Sequence, residues 1–208
     1  MCVEDCSPDN TLEVLQKYKE LHPDKITLIK NPNNLGPGET RNRGLYLTQD
    51  EHPSDYIWMV DGDDRLVDDT VIQRIYDYSV EHPDKEMICL GMTMNGKYVI
   101  ASVIDPNGPM GMVLKPSIFV PYLDKNVQGC EDVYQHFVQW DSVEDSKIGV
   151  LDYLCYTWRP GNHRTTTNVN SRKVVMDALK QHQFKKENVR NTLINFRGNH
   201  ISWYTASP

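Results

Sequence analysis

The 208-residue sequence predicts an α/β fold: a mostly parallel sheet flanked by helices, with a C-terminal helical appendage. Three observations predict it. One junction recurs three times: His22-Pro23-Asp24-Lys25 before Ile26-Thr27-Leu28-Ile29, His52-Pro53-Ser54-Asp55 before Tyr56-Ile57-Trp58-Met59-Val60, and His82-Pro83-Asp84-Lys85 before Met87-Ile88-Cys89-Leu90. Proline cannot continue a helix and pushes its predecessor out of the helical region, so each junction reads as a helix end followed by a strand. The junctions recur at roughly thirty residues, the span of a strand–helix unit. The strand-like runs are apolar throughout instead of alternating, as in strands covered on both faces.

The elements follow in order. Leu12, Leu15 and Tyr18 mark a helix at i, i+3, i+6, with Ser7, Asp9 and Asn10 as caps. Ile72, Ile75 and Tyr76 mark a second, opened by Asp68-Asp69-Thr70, whose carboxylates suit a helix N-terminus. Val133, Phe137 and Trp140 mark a third, opened by Glu131-Asp132. From Gly91 to Ser117 the pattern loosens into shorter strand-like runs around Gly108-Pro109. A late strand, Gly149 to Trp158, leads through a polar stretch to a helix from Val169 to Gln181. Trp58 and Trp140 are expected in the core.

Composition narrows the class. With 39% hydrophobic and 25% charged residues, 12 Gly and 12 Pro, the chain is neither collagen-like nor low-complexity. No apolar run approaches the ~20 residues of a membrane span. Five Cys without a Cys-x-x-Cys pair indicate neither a disulfide framework nor a zinc knuckle, so a cytoplasmic protein, free or peripheral to a membrane, is expected. A net charge of −7 gives a nucleic-acid partner no support.

Chemistry concentrates where strands end. Tyr56-Ile57-Trp58-Met59-Val60 runs directly into Asp61-Gly62-Asp63-Asp64. Ligands of open α/β sheets gather at the carboxyl ends of strands, and clustered carboxylates repel unless a cation is present. Oxygen-only ligands favour Mg²⁺ or Mn²⁺. Asp-Gly-Asp is equally good turn chemistry, so a solvated turn is the ordinary alternative. A second strand end carries Val3-Glu4-Asp5-Cys6-Ser7-Pro8-Asp9-Asn10-Thr11, which also reads as a helix cap. A third element, Asn33-Asn34-Leu35-Gly36 followed by Thr40-Arg41-Asn42-Arg43-Gly44, sets two Arg in the first turns of a helix, where they can pair with phosphate or a base edge.

Taken together, these segments resemble glycosyltransferase family 2. Val3-Glu4-Asp5-Cys6-Ser7-Pro8-Asp9-Asn10-Thr11 is similar to its Val-Asp-Asp-Gly-Ser-x-Asp-x-Thr signature, and Thr40-Arg41-Asn42-Arg43-Gly44 to its Ala-Arg-Asn-x-Gly. Met59-Val60-Asp61-Gly62-Asp63-Asp64 resembles Leu-Asp-Ser-Asp-Asp, and Gly129-Cys130-Glu131-Asp132 the downstream Glu-Asp motif. Tyr156-Thr157-Trp158-Arg159 with His163 resembles the closing Tyr-x-Arg-x-His region, with altered spacing. The five motifs keep the family's order across residues 3–168.

The resemblance implies a GT-A, Rossmann-type fold over residues 1–168, with residues 169–208 as a helical segment and tail. It also implies metal-dependent, inverting transfer of a sugar from a nucleotide-diphosphate donor, usually a UDP-sugar, to a hydroxyl acceptor. Asp5 would hold the nucleobase, Arg41 would lie beside the nucleotide, and Asp61 would contact the ribose. Asp63 would bind the cation, Mn²⁺ or Mg²⁺, and His163 would join it, although a lone His in a polar loop is more often solvated. Asp132 would be the base, kept ionised by its place at a helix start. His136, one turn on, reads as a face-packing or exposed residue. The acceptor (glycan, lipid-linked sugar or other hydroxyl) is left open.

One departure stands at the start. The family's opening apolar strand and helix have no counterpart before Val3, and in the GT-A sheet that strand is central. An N-terminally incomplete chain is the preferred explanation, ahead of replacement by another segment or decay into a non-catalytic binding module. Cys6 replaces the usual Gly. A nucleotidyltransferase would need a Gly-rich basic loop after its first strand, which this sequence lacks.

Overall fold

The structure, a computed structural model, describes residues 1–50, 55–94, 97–99, 111–123, 131–157 and 169–191. Its strands are β1 (Cys2–Glu4), β2 (Leu28–Lys30), β3 (Ile57–Trp58), β4 (Arg65–Leu66), β5 (Met87–Met94), β6 (Lys97–Val99), β7 (Met112–Leu114) and β8 (Ile148–Thr157). The helices are α1 (Thr11–Leu21), α2 (Pro37–Asp50), α3 (Val71–Glu81), α4 (Glu131–Ser142) and α5 (Val169–Gln181). The predicted α/β class and all the predicted helices are present.

The first and third proline junctions are built alike. In both, the C-cap histidine donates its N–H to a tyrosine carbonyl one turn back, His22 to Tyr18 and His82 to Tyr78, each at 3.0 Å. The Lys25 and Lys85 N–H groups then return to the carbonyls of His22 and His82, each at 3.1 Å. The helix starts match as well: Asp9 accepts the Thr11 N–H at 3.0 Å, and Asp68 accepts the Thr70 N–H at 2.8 Å. The middle junction falls largely outside the described residues.

The sheet corrects the expectation of mostly parallel pairing. β1 and β2 pair in parallel as a sheet of their own, while the others form a second sheet in the order β3-β7-β5-β8-β4, with β6 on β5. Only β5–β8 is parallel there; β3–β7, β5–β7, β5–β6 and β4–β8 are antiparallel. The loosely patterned region after Gly91 supplies β6 and β7, both running back along β5. Residues 59–64 carry the chain from one edge of this sheet to the other, across the carboxyl ends of β3, β5 and β8.

Both faces are covered, which explains the continuous apolar character of β5. Ile88 and Leu90 face α3 with Val71, Ile75, Val113 and Tyr156. Met87 and Cys89 face the other way, against Phe137 and Trp140 of α4 and Val175 and Leu179 of α5. The appendage therefore shares the main core. It is further pinned by Asp141, which accepts the Lys185 and Lys186 N–H groups at 3.1 and 2.8 Å.

Two helix faces differ from the expected stripes. In α3 the buried pair is Val71 and Ile75, with Ile72 and Tyr76 exposed, and in α1 Tyr18 is exposed. Val71, Ile75 and Tyr78 make the longer i, i+4, i+7 stripe. That stripe aims Tyr78 at β8, where its hydroxyl oxygen accepts the Val150 N–H at 3.0 Å.

Two substitutions test this packing. A Cβ on Gly149 would lie 2.7 Å from the Tyr78 hydroxyl, so Gly149→Ala is expected to destabilise by about 1–3 kcal/mol in urea unfolding. Cys6 has a φ of 61°, a conformation glycine adopts freely. Cys6→Gly is therefore expected to stay within about 1 kcal/mol of the parent, and Cys6→Val to cost about 1–2 kcal/mol, by the same measurement.

Candidate active site

The site is assembled by the first turns of α2, whose residues reach several other elements. Thr40 accepts the Asn31 side-chain N–H at 3.0 Å, and Arg43 donates to the Asn31 side-chain oxygen Oδ1. Asn42, buried, pairs both ways with the backbone of Tyr122, donating at 3.0 Å and accepting at 2.8 Å. Arg41 points between the end of β3 and the start of α4. It donates to Asp61 at 2.7 Å and to Glu131 at 2.9 Å, with its Cζ 5.1 Å from the centre of the Tyr122 ring.

The segment carrying Tyr122 is fixed from both sides. Besides Asn42, the buried Gln139 of α4 accepts the Val120 N–H at 2.7 Å and donates to the Ile118 carbonyl at 2.9 Å. Tyr122 is itself buried, and burial pushes its hydroxyl well above the ordinary range for a phenol. Its hydroxyl and one oxygen of Glu131 are buried without hydrogen-bond partners among the described residues.

Asp132 follows Glu131 in the first turn of α4, its carboxylate accepting the Val133 N–H at 2.9 Å. The helix start is one influence among several on this group. Burial, and then the adjacent Glu131, push it up to about 6, against the downward pull of Arg41 and the Val133 N–H. Desolvation outweighs the helix dipole here, and the result is a carboxyl group that titrates just below neutrality. Burial alone drives His136 down to about 4, so its imidazole is neutral, and it packs against Phe137 and Trp140.

Asp5 closes a neighbouring loop. Its carboxylate accepts the Asn31 amide at 2.7 Å and the Leu35 and Gly36 N–H groups at 2.8 and 2.9 Å. Gly36 has a φ of 82°, so this turn requires the conformational freedom of glycine. Asp5 thus shapes the Asn33–Gly36 loop at the carboxyl ends of β1 and β2. The hydrogen bonds Asp5–Asn31–Thr40 connect it to α2 beside Arg41.

Asp63 is exposed on the turn that the Asp64 N–H closes onto the Asp61 carbonyl at 3.1 Å. Among the described residues no group of three or more His, Cys, Asp or Glu side chains could hold a metal ion. A single free carboxylate still fits a hard cation of the Mg²⁺ type, which takes one or two protein carboxylates and completes its shell with phosphate oxygens and water. His163 lies outside the described residues.

The structure therefore brings together Arg41, Asp61 and Asp132, links Asp5 to them through Asn31, and leaves Asp63 on the adjoining turn. Sequence reasoning missed Asn31, Asn42 and Tyr122, and gave Glu131 no role. Asn42 lay inside a quoted motif. Tyr122 lies in a stretch with no periodicity and had no sequence signal.

Comparison with known proteins bears on the family. Residues 1–96 match the family described as Glycosyl transferase family 2, a span holding Asp5, Arg41, Asp61 and Asp63. The chain is 28% identical over 109 residues to the poly(ribitol-phosphate) beta-glucosyltransferase of Bacillus spizizenii, covering 52% of this chain and 16% of that protein. It is 25% identical over 188 residues to the poly(ribitol-phosphate) beta-N-acetylglucosaminyltransferase TarS of Staphylococcus aureus, covering 81% of this chain and 31% of that protein. The chain spans less than a third of the length of either relative. No helix among the described residues is long and apolar enough to cross a membrane. Residues 1–96, with the strand-end motifs they carry, match glycosyl transferase family 2.

Proposed function

We propose that this chain transfers a sugar, with inversion, from a nucleotide-diphosphate donor, most simply a UDP-sugar, to a hydroxyl acceptor. The observation that carries the reading is the meeting of Arg41, Asp61 and Asp132 at the carboxyl ends of the strands, within and beside the segment that matches the family. Both relatives act, by their names, on poly(ribitol phosphate). A hydroxyl on a polyol-phosphate polymer is accordingly the acceptor class we propose.

In this reading the Asn33–Gly36 loop, shaped by Asp5, receives the nucleobase, and Asp61 meets the ribose. Asp63, with His163, would hold a Mn²⁺ or Mg²⁺ ion, which when bound offsets the charge that grows on the departing diphosphate. Asp132 accepts the proton of the acceptor hydroxyl. The freed oxygen bonds to the anomeric carbon on the side opposite the diphosphate. The bond from that carbon to the diphosphate oxygen breaks, and its electron pair leaves with the nucleoside diphosphate. A carboxyl group that titrates near 6 is ionised at neutral pH yet still basic enough to take a proton.

Isothermal titration with UDP in the presence of Mn²⁺ tests the donor half of this reading: binding is expected in the parent and a loss of at least about tenfold in Asp63→Ala. Absence of UDP binding in the parent would sink the proposal. Asp132→Asn is expected to keep donor binding while lowering transfer by about 10²–10⁴-fold, measured as release of UDP. In the parent, transfer should rise with pH through about 6 as Asp132 loses its proton.

A further inference from the structure

Glu131 occupies an unusual position for a carboxylate. Its side chain is only 6% exposed, it is adjacent in sequence to a second acidic residue, and only one of its oxygens has a partner among the described residues. That partner is Arg41, 15% exposed, whose other arm is held by the more open Asp61, 37% exposed. Burying two adjacent carboxyl groups costs several kcal/mol per ion, on the order of magnitude expected for any charge withdrawn from water, unless a cation is shared between them. Arg41 is that cation. Burial works against its charge, but Asp61, Tyr122 and Glu131 outweigh it and hold the guanidinium protonated.

We propose that Glu131 is a positioning residue: paired with Arg41, it holds the first turn of α4 against α2 and fixes the setting in which Asp132 gains and loses its proton. The inference rests on reading Asp132 as the base. Among the described residues, the groups around Asp132 are Glu131 and, one turn on, His136 from α4, Arg41 from α2, Asp61 after β3, and Tyr122 after β7. His136 is neutral and the Tyr122 phenol is protonated, so neither contributes a charge. Burial raises Asp132 first, and among the described charges Glu131, Arg41 and Asp61 then adjust where it titrates.

The charges predict opposite effects from two variants. Glu131→Gln removes the adjacent negative charge and leaves Arg41 in place, so Asp132 should titrate at lower pH. Arg41→Lys keeps a positive charge but loses the planar fork that spans two carboxylates, so Asp132 should titrate at higher pH. The direct readout is an NMR pH titration of the Asp132 side-chain carboxyl in the full 208-residue chain, with thermal melts confirming that each variant is folded. Midpoints displaced in opposite directions, by about one unit in Glu131→Gln, support the proposal. A midpoint unchanged in either folded variant, or moved the same way in both, overturns it, because a merely structural pair would weaken folding without sorting by charge. Should Glu131→Gln not fold, the upward shift in Arg41→Lys decides alone. The titration needs neither donor nor turnover. A chain that shows the opposed shifts but binds no UDP keeps this coupling and loses the proposed function, whereas unchanged midpoints in a chain that binds UDP remove only the coupling.

Discussion

A guanidinium group withdrawn from water must be paired, and in this chain that requirement organises the site. The cost of holding the charged Arg41 inside is offset by Asp61 on one guanidinium nitrogen and Glu131 on the other. Each of the three residues belongs to a different element, so satisfying one charge fixes α2, the end of β3 and the start of α4 relative to one another. Removing a partner from a buried pair of this kind costs about 3–5 kcal/mol, because the remaining charge is left without compensation. The Tyr122 ring closes the arrangement from a fourth segment, itself held by Asn42 and Gln139.

The same economy runs through the rest of the first helical turns of α2. Thr40, Asn42 and Arg43 all spend their polar atoms on other elements, and Gly44 lets the helix approach Val3 of β1, where a Cβ would come within 3.2 Å of its side chain. A short sequence therefore serves as both packing surface and electrostatic frame. Asp132 inherits its character from that frame. It is basic because it is partly desolvated beside a like charge, and it remains ionisable because Arg41 is close by.

Local signals in the sequence were readable wherever a residue acts on its immediate neighbours. The His-Pro-Asp-Lys junctions end helices by backbone geometry alone, and two copies adopt the same hydrogen bonds sixty residues apart in the chain. The strand-end acidic motifs were legible for a similar reason, since a turn and its carboxylates lie in one stretch. Strand direction was not, because β6 and β7 run antiparallel through contacts with β5 that no local pattern encodes. The pins on Tyr122 were equally hidden: Asn42 is eighty residues away, and a polar side chain matched to a backbone N–H and C=O leaves no periodic trace. The raised proton affinity of Asp132 was missed because helix position is visible in sequence and burial is not.

The division into two sheets bears on how the molecule responds to load. Among the described residues, no ladder of backbone hydrogen bonds runs from β1 and β2 to the larger sheet. The loop shaped by Asp5 and the turn bearing Asp61 are therefore held in relation by side chains of α2, as two plates riveted to one bar. The spacing of the two rims rests on those side chains instead of on a continuous ladder. A molecule long enough to touch both rims would act as a strut across them, and the stiffness of the site would then come in part from its cargo.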